Sequence, residues 1–329
     1  MDNEYFSYID IKGELFEETK NFLKNFGARR SSIMIDAIRK ADCGNNHMLN
    51  AIRSFRATPC EAIKEVEIKE IEIDCSSYKI SLRMYSQKSD SSAPKPILIY
   101  AHGGGWTIGD INSCADFCQN LAASQSANVV AFNYRLAPEH KSPAALDDCE
   151  TVYNWVIANI DKICGDIENI YVGGDSAGGH LSLALTDRLI LAKNPKPRAL
   201  ILFYPVTTFE NRQNDSSYKE FGAGYALDAC LMDAFNDAYM PDYSMRKNAS
   251  PLNFTTLDSF PPTLLISSGH DILRDQDKEF ADILYSKKIP LRHVCLRGAT
   301  HIYVTMAGMP KCFEFALKET RAFIEKTRA

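Results

Sequence analysis

The chain is predicted to fold as an α/β protein around a mostly parallel central sheet with helices on both faces. Two observations carry this. From Ile97 onward, short apolar runs alternate with longer helical stretches. Upstream, a pair of period-two segments reads as an antiparallel edge. Strands buried on both faces read as continuous apolar runs, and the helices between them supply the cover.

The elements follow in order. Leu15, Phe16, Phe22, Leu23 and Phe26 recur at roughly helical spacing over residues 14–26, and a second helical stretch follows around Ile33–Ile38. Val66, Ile68, Ile71 and Ile73 then sit among Glu and Lys. Ile80, Leu82 and Met84 alternate with Lys79, Ser81, Arg83 and Tyr85, which is strand periodicity. KSDSSAPKP (Lys88–Pro96) is a polar loop. Six apolar runs come next: ILIYAH from Ile97, NVVAFNYRL (Asn128–Leu136), NIYVGG (Asn169–Gly174), ALILFYPV (Ala199–Val206), TLLISSG (Thr263–Gly269) and LRHVCLRG (Leu291–Gly298). Helices are expected near 113–125, 145–160, 177–193, 275–288 and 311–327. Between Val206 and Thr263 no simple crossover helix fits. That segment carries its own amphipathic helix near Leu227–Tyr239 and reads as an insertion over one end of the sheet.

Bulk properties narrow the function. The 329 residues suffice for a large core, and 45% hydrophobic with 24% charged residues is ordinary for a soluble globular chain. A net charge of −5 gives no general attraction to nucleic acid or anionic membranes. The acidic N-terminus MDNEYFSYIDIKGELFEETK lacks the apolar run of a signal peptide, and nowhere do 18 apolar residues run together. A cytoplasmic location is expected, with the ten cysteines as thiols. Cys114 and Cys118 lie four apart without a second pair, so neither metal nor cofactor is expected.

Ligands of open α/β sheets bind outside the carboxyl ends of the strands. After NIYVGG, Gly174-Asp175-Ser176-Ala177-Gly178 has the form G-x-S-x-G between strand and helix, which exposes a serine hydroxyl at a sharp turn. A serine needs a base, and the base an orienting acid. His47 and His140 read as loop residues and His293 as part of a strand. His180 follows the serine on its own helix and points away, His270 adjoins Asp271, and His102 belongs to the glycine run. His301 follows the last strand. Asp271 is the first carboxylate past TLLISSG, while Asp275 reads as a first-turn helix acid. The order Ser176, Asp271, His301 is that of an α/β-hydrolase. Gly103, Gly104 and Gly105 let the main chain approach a developing oxyanion, with the Ala177 amide as partner. Which of the three glycines donate is left open. A phosphate loop would need a G-x-x-x-x-G-K-[ST] pattern that is absent.

HGGGW (His102–Trp106), GDSAGG (Gly174–Gly179), YRLAPEHKSPAALDD (Tyr134–Asp148), ASPL (Ala249–Leu252), DILRD (Asp271–Asp275) and the histidine of GATHIY together resemble the hormone-sensitive lipase-like esterases of the α/β-hydrolase superfamily. The resemblance covers about residues 75–325. It implies an α/β-hydrolase fold with a helical cap and a carboxylic-ester hydrolase acting on a small-molecule ester. It implies Ser176 as nucleophile, His301 as base and Asp271 as its partner, with the oxyanion held by the glycine loop and Ala177. Residues 61–206 and 250–329 are expected to form the core, 207–249 the cap insertion, and 1–60, which match least, a helical part of the cap. Two other readings are a non-catalytic ligand-binding protein, which in this family lacks the histidine that His301 supplies, and an amidase or lactonase with the same triad. A homodimer is left open.

Overall fold

A computed structural model of the chain describes residues 9–10, 14–26, 30–56, 61–88 and 93–328. Residues 89–92 of the expected polar loop and parts of the 1–60 segment lie outside the described residues.

In chain order, β1 (Ile9–Asp10) precedes α1 (Glu17–Phe26), α2 (Arg30–Asp42) and α3 (His47–Arg56). The hairpin β2 (Val66–Cys75) and β3 (Tyr78–Gln87) follows, then β4 (Lys95–Ala101), α4 (Ala115–Ala123), β5 (Asn128–Phe132) and α5 (Ala144–Ala158). Next come β6 (Gly165–Asp175), α6 (Ala177–Leu191) and β7 (Ala199–Phe203). The insertion supplies α7 (Ser216–Phe221), α8 (Ala229–Tyr239) and α9 (Tyr243–Ala249). The chain returns to the sheet with β8 (Thr263–His270), α10 (Arg274–Ser286), β9 (Leu291–Thr300) and α11 (Pro310–Thr327).

Among the described residues nine strands form one sheet in the order β1-β9-β8-β7-β6-β4-β5-β3-β2. The β2–β3 and β3–β5 pairs are antiparallel and the rest parallel. The period-two segments therefore occupy one edge, where a strand is half covered, and the apolar runs occupy the middle.

The pleat divides the core in two. Ile97, Ile99 and Ala101 of β4, with Leu200 and Leu202 of β7, face a core that includes Val152 of α5, Leu181 of α6 and Leu284 of α10. Leu98, Tyr100, Ile201 and Phe203 face the other core, with Phe117 of α4 and Phe323 of α11. Successive residues of one strand thus serve opposite cores, which is why the runs show no polar alternation.

The sequence signal missed α3. HMLNAIRSFR is short, and although Met48, Leu49, Ile52 and Phe55 fall at helical spacing, Leu49 alone among its described side chains is fully buried. His47, read as a loop residue, instead opens this helix. Among the described residues no helix is long and apolar enough to cross a membrane.

Candidate active site

Ser176, Asp271 and His301 each follow the last residue of a parallel strand: β6, β8 and β9 respectively. Strand order 9-8-7-6 sets those ends side by side, so three residues distant in sequence converge.

The turn at Ser176 is strained. Its φ of 54° and ψ of −117° lie where L-residues are rare, at a typical cost of about 1–3 kcal/mol. Three backbone bonds hold it: the Ser176 amide donates to Phe203 O (2.9 Å), and the His180 and Val206 amides donate to Ser176 O (3.1 and 3.2 Å). A Cβ at Gly178 would collide with the backbone carbonyl of Ala101 at the end of β4. Only glycine lets α6 start this close to the neighbouring strand.

The three side chains form one hydrogen-bonded series. Ser176 Oγ lies 2.9 Å from His301 Nε2, and His301 Nδ1 lies 2.6 Å from Asp271 Oδ2. The other Asp271 oxygen accepts the Leu273 amide at 3.0 Å. Asp271 and His301 are buried at 1% and 3% exposure, so water does not compete for these bonds. With Nδ1–H donated to the carboxylate, Nε2 is left as acceptor for the serine proton. The Tyr204 ring lies against the imidazole, with centroids 4.5 Å apart.

Other histidines stay outside the series. His180 Nε2 lies 3.2 Å from Ala249 O and the ring stands edge-on to Trp106. Burial pulls its pKa down to about 4, which keeps it neutral. His102 stacks on Tyr134. Asp275 is in the first turn of α10, where it pairs with Arg274 (2.9 Å) and accepts the Ser217 amide (2.8 Å).

The glycine loop narrows the open question of donors. The Gly103 amide donates to Asp175 Oδ1 at 3.0 Å, an oxygen that also accepts the Tyr100 hydroxyl at 3.1 Å. The Gly103 N–H is thereby already engaged within the protein. The amides of Gly104, Gly105 and Ala177 have no protein acceptor among the described residues. Gly104 (φ 120°) and Gly105 (φ 56°) occupy the region that side chains disfavour. The sequence analysis gives Asp175 no role beyond its place in the G-x-S-x-G stretch. Its position before the serine was the available signal for its role in tying the glycine loop to the elbow.

Ser176, His301, Gly104 and Gly105 open into one cavity of about 790 Å³, within the range of small-molecule sites. Met34 and Ile52 wall it from the N-terminal helices. From the insertion, the apolar side chains of Leu227, Leu231, Met232 and Phe235 line it. Phe221 and Tyr225 do not. They pack on each other at 4.9 Å, and Phe221 also packs against His270.

One buried group near Asp271 stands apart. Asp277 on α10 is fully buried, and neither carboxyl oxygen has a partner among the described residues. Burial, and secondarily the charge of Asp271, hold its carboxyl well above the usual range. Among the described residues no group of three or more His, Cys, Asp or Glu is placed to hold a metal ion.

A family model described as alpha/beta hydrolase fold matches residues 98–305. The chain is 29% identical to an ethyl acetate hydrolase of Pseudomonas putida over 236 residues, covering 70% of this chain and 74% of that one. It is 30% identical to the carboxylesterase NlhH of Mycobacterium tuberculosis over 256 residues, covering 76% and 79%. Among solved structures, a fungal esterase from Rhizomucor miehei superposes with a TM-score of 0.84 at 26% identity, covering 96% of this chain and 97% of that one.

Proposed function

The chain belongs to the α/β-hydrolase fold family and is a carboxylic-ester hydrolase, and on that premise we propose that it cleaves short- to medium-chain esters through Ser176, His301 and Asp271. The observation that carries the residue roles is the unbroken series from Ser176 Oγ through the His301 ring to Asp271, at 2.9 and 2.6 Å.

Ser176 Oγ attacks the ester carbonyl carbon as its proton passes to His301 Nε2. The carbonyl oxygen becomes an anion and accepts hydrogen bonds from the Ala177 amide and from Gly104 or Gly105. One such donor is worth on the order of 3 kcal/mol of barrier. Collapse of the tetrahedral species breaks the C–O bond, and the alcohol leaves with the proton from His301. Water then gives its proton to His301 and its oxygen to the acyl carbon. A second collapse releases the acid and restores Ser176. Asp271 stays ionised throughout and holds the imidazole in the required tautomer. The chemistry of these groups requires no cofactor.

Residues 207–249, with the helices before residue 60, form a cap over this cavity. Residues 61–206 and 250–329 form the catalytic core. The supporting observation is that Met34, Ile52, Leu231 and Phe235 wall the cavity from outside the core. A cavity closed in this way limits the acyl chain. Each buried CH₂ adds about 0.8 kcal/mol until the wall is reached.

The test is kcat/KM for p-nitrophenyl esters from acetate to palmitate, beside a matched anilide. A maximum between about two and eight acyl carbons is expected from that area argument, with the ester much faster than the anilide. A steady rise to palmitate would overturn the closed cavity, and equal anilide turnover would mean an amidase. A serine-directed phosphonate should add its mass to the peptide holding Ser176; labelling of another serine would refute the assignment of the nucleophile.

A further inference from the structure

We propose that Arg53, on α3 and outside the stretch that the family model matches, is a positioning residue that sets the oxyanion turn. The proposal rests on the esterase reading above.

All five guanidinium N–H groups have acceptors. Nε donates to Thr107 O (2.8 Å) and Nη2 to Ala137 O (2.9 Å). Nη1 and Nη2 hold both oxygens of Glu139 (2.7 and 2.9 Å), and Nη1 also reaches Asn50 Oδ1 (3.1 Å). A fully saturated, bidentate fork fixes direction as well as distance.

The consequence follows from peptide planarity. Thr107 C=O and Ile108 N–H belong to one rigid plane. The Ile108 amide donates to Gly104 O at 3.0 Å, and the Thr107 amide reaches the same oxygen at 3.1 Å. Gly104 C=O and Gly105 N–H form the next rigid plane. Arg53 therefore acts through two peptide planes in series. It holds the first by its carbonyl, the first holds the second, and the second aims the Gly105 amide at the cavity. The same turn is tied to the Glu139 loop by the Ala137 amide, which donates to Trp106 O at 2.8 Å. The aligned hydrogen bonds also polarise one another in the direction that favours an anion at Gly105. Glycine at 104 and 105 adds no side-chain restraint, so the turn depends on its ties, and Arg53 holds its far end as Asp175 holds Gly103 at the near end.

The test compares Arg53→Lys, Arg53→Gln and Glu139→Gln with Lys141→Ala. Lys141 pairs with Asp42 at 3.0 Å. It thus docks α2 on the same loop without touching the glycine turn. With p-nitrophenyl butyrate, Arg53→Lys should lower kcat about tenfold and Arg53→Gln about a hundredfold, with KM within about threefold, because small misplacements of a preorganised donor act on the transition state. Affinity for a trifluoromethyl ketone, whose adduct puts an anionic oxygen in the hole, should fall in step with kcat. Glu139→Gln should shift both in the same direction by less, and Lys141→Ala should change neither beyond about twofold. Equal losses in Arg53→Lys and Lys141→Ala would overturn the proposal by showing simple docking of the helices. An unchanged kcat in folded Arg53→Lys would also overturn it. If Arg53→Gln does not fold, Arg53→Lys and Glu139→Gln decide. A wild-type enzyme without Ser176-dependent hydrolysis would instead sink the functional reading, and this proposal with it.

Discussion

The turn at Ser176 and the helix that carries Phe235 face the same cavity, yet they are held in opposite ways. The turn is fixed by main-chain bonds to Phe203 and Val206 and by a glycine that no side chain can replace. Helix α8 meets the rest of the molecule mainly through side chains. Leu231, Met232 and Phe235 join the core, and Tyr239 stacks on Trp106 at 4.7 Å. A position fixed by backbone geometry tolerates almost no change. A position fixed by packing responds in proportion to the volume lost. Chemistry should therefore be all-or-none at the strand ends, and selectivity should be graded under the helices.

Substitutions at the strand ends test the first half of that contrast. Ser176→Ala should reduce kcat by on the order of 10⁴-fold or more and leave the thermal midpoint near wild type, since one buried hydroxyl is lost. Asp271→Asn should reduce kcat by about 10²- to 10⁴-fold through the wrong imidazole tautomer, while Asp275→Asn should cost much less. The reverse ranking would name Asp275 as the acid.

The second half is tested on α8. Phe235→Ala should destabilise by about 3–5 kcal/mol and move the acyl optimum to longer chains, with activity toward acetate changed less. Urea unfolding and the acyl series read the two effects separately. Phe221→Ala, which removes a ring that does not line the cavity, should leave the acyl profile unchanged. If it shifts the optimum as Phe235→Ala does, the cover acts as one unit and the graded picture fails.

A smaller effect concerns Asp277. Its folded carboxyl holds its proton well above the unfolded value of 3.8. Its contribution is therefore most favourable below 3.8 and is lost as pH rises toward the folded pKa, because only the unfolded chain releases the proton. The slope is about 1.4 kcal/mol per pH unit over that interval. Asp277→Asn removes this term, so its stability advantage over wild type should grow from pH 4 to pH 7 in urea titrations. A difference that is flat with pH would mean that the carboxyl ionises normally in the fold.

The same contrast explains what the sequence made legible. Ile97–Tyr100 and Ala199–Phe203 read clearly because both faces of each strand are buried, which leaves a continuous apolar run. Ser176, Asp271 and His301 stand out in the sequence as candidates because each sits just past such a run, in the order of the fold. The bond from the Gly103 amide to Asp175 was not legible, because it depends on where the Asp175 carboxylate falls across the sheet. Arg53 was invisible for a related reason. Its partners include the main-chain carbonyls of Thr107 and Ala137, 54 and 84 residues away, and a carbonyl contact leaves no mark in residue type.

The bond between Ser176 and His301 closes a loop of 125 residues, and its two ends lie on strands separated by β7 and β8. Such long-range contacts form late, since loop entropy must be lost before they add stability. During refolding, burial of Trp106 and Trp155 should precede the return of activity, which must wait for β9 to dock beside β8. The interval between recovered fluorescence and recovered hydrolysis would time the last step of assembly, and a chain halted before it would be compact, largely helical and catalytically silent.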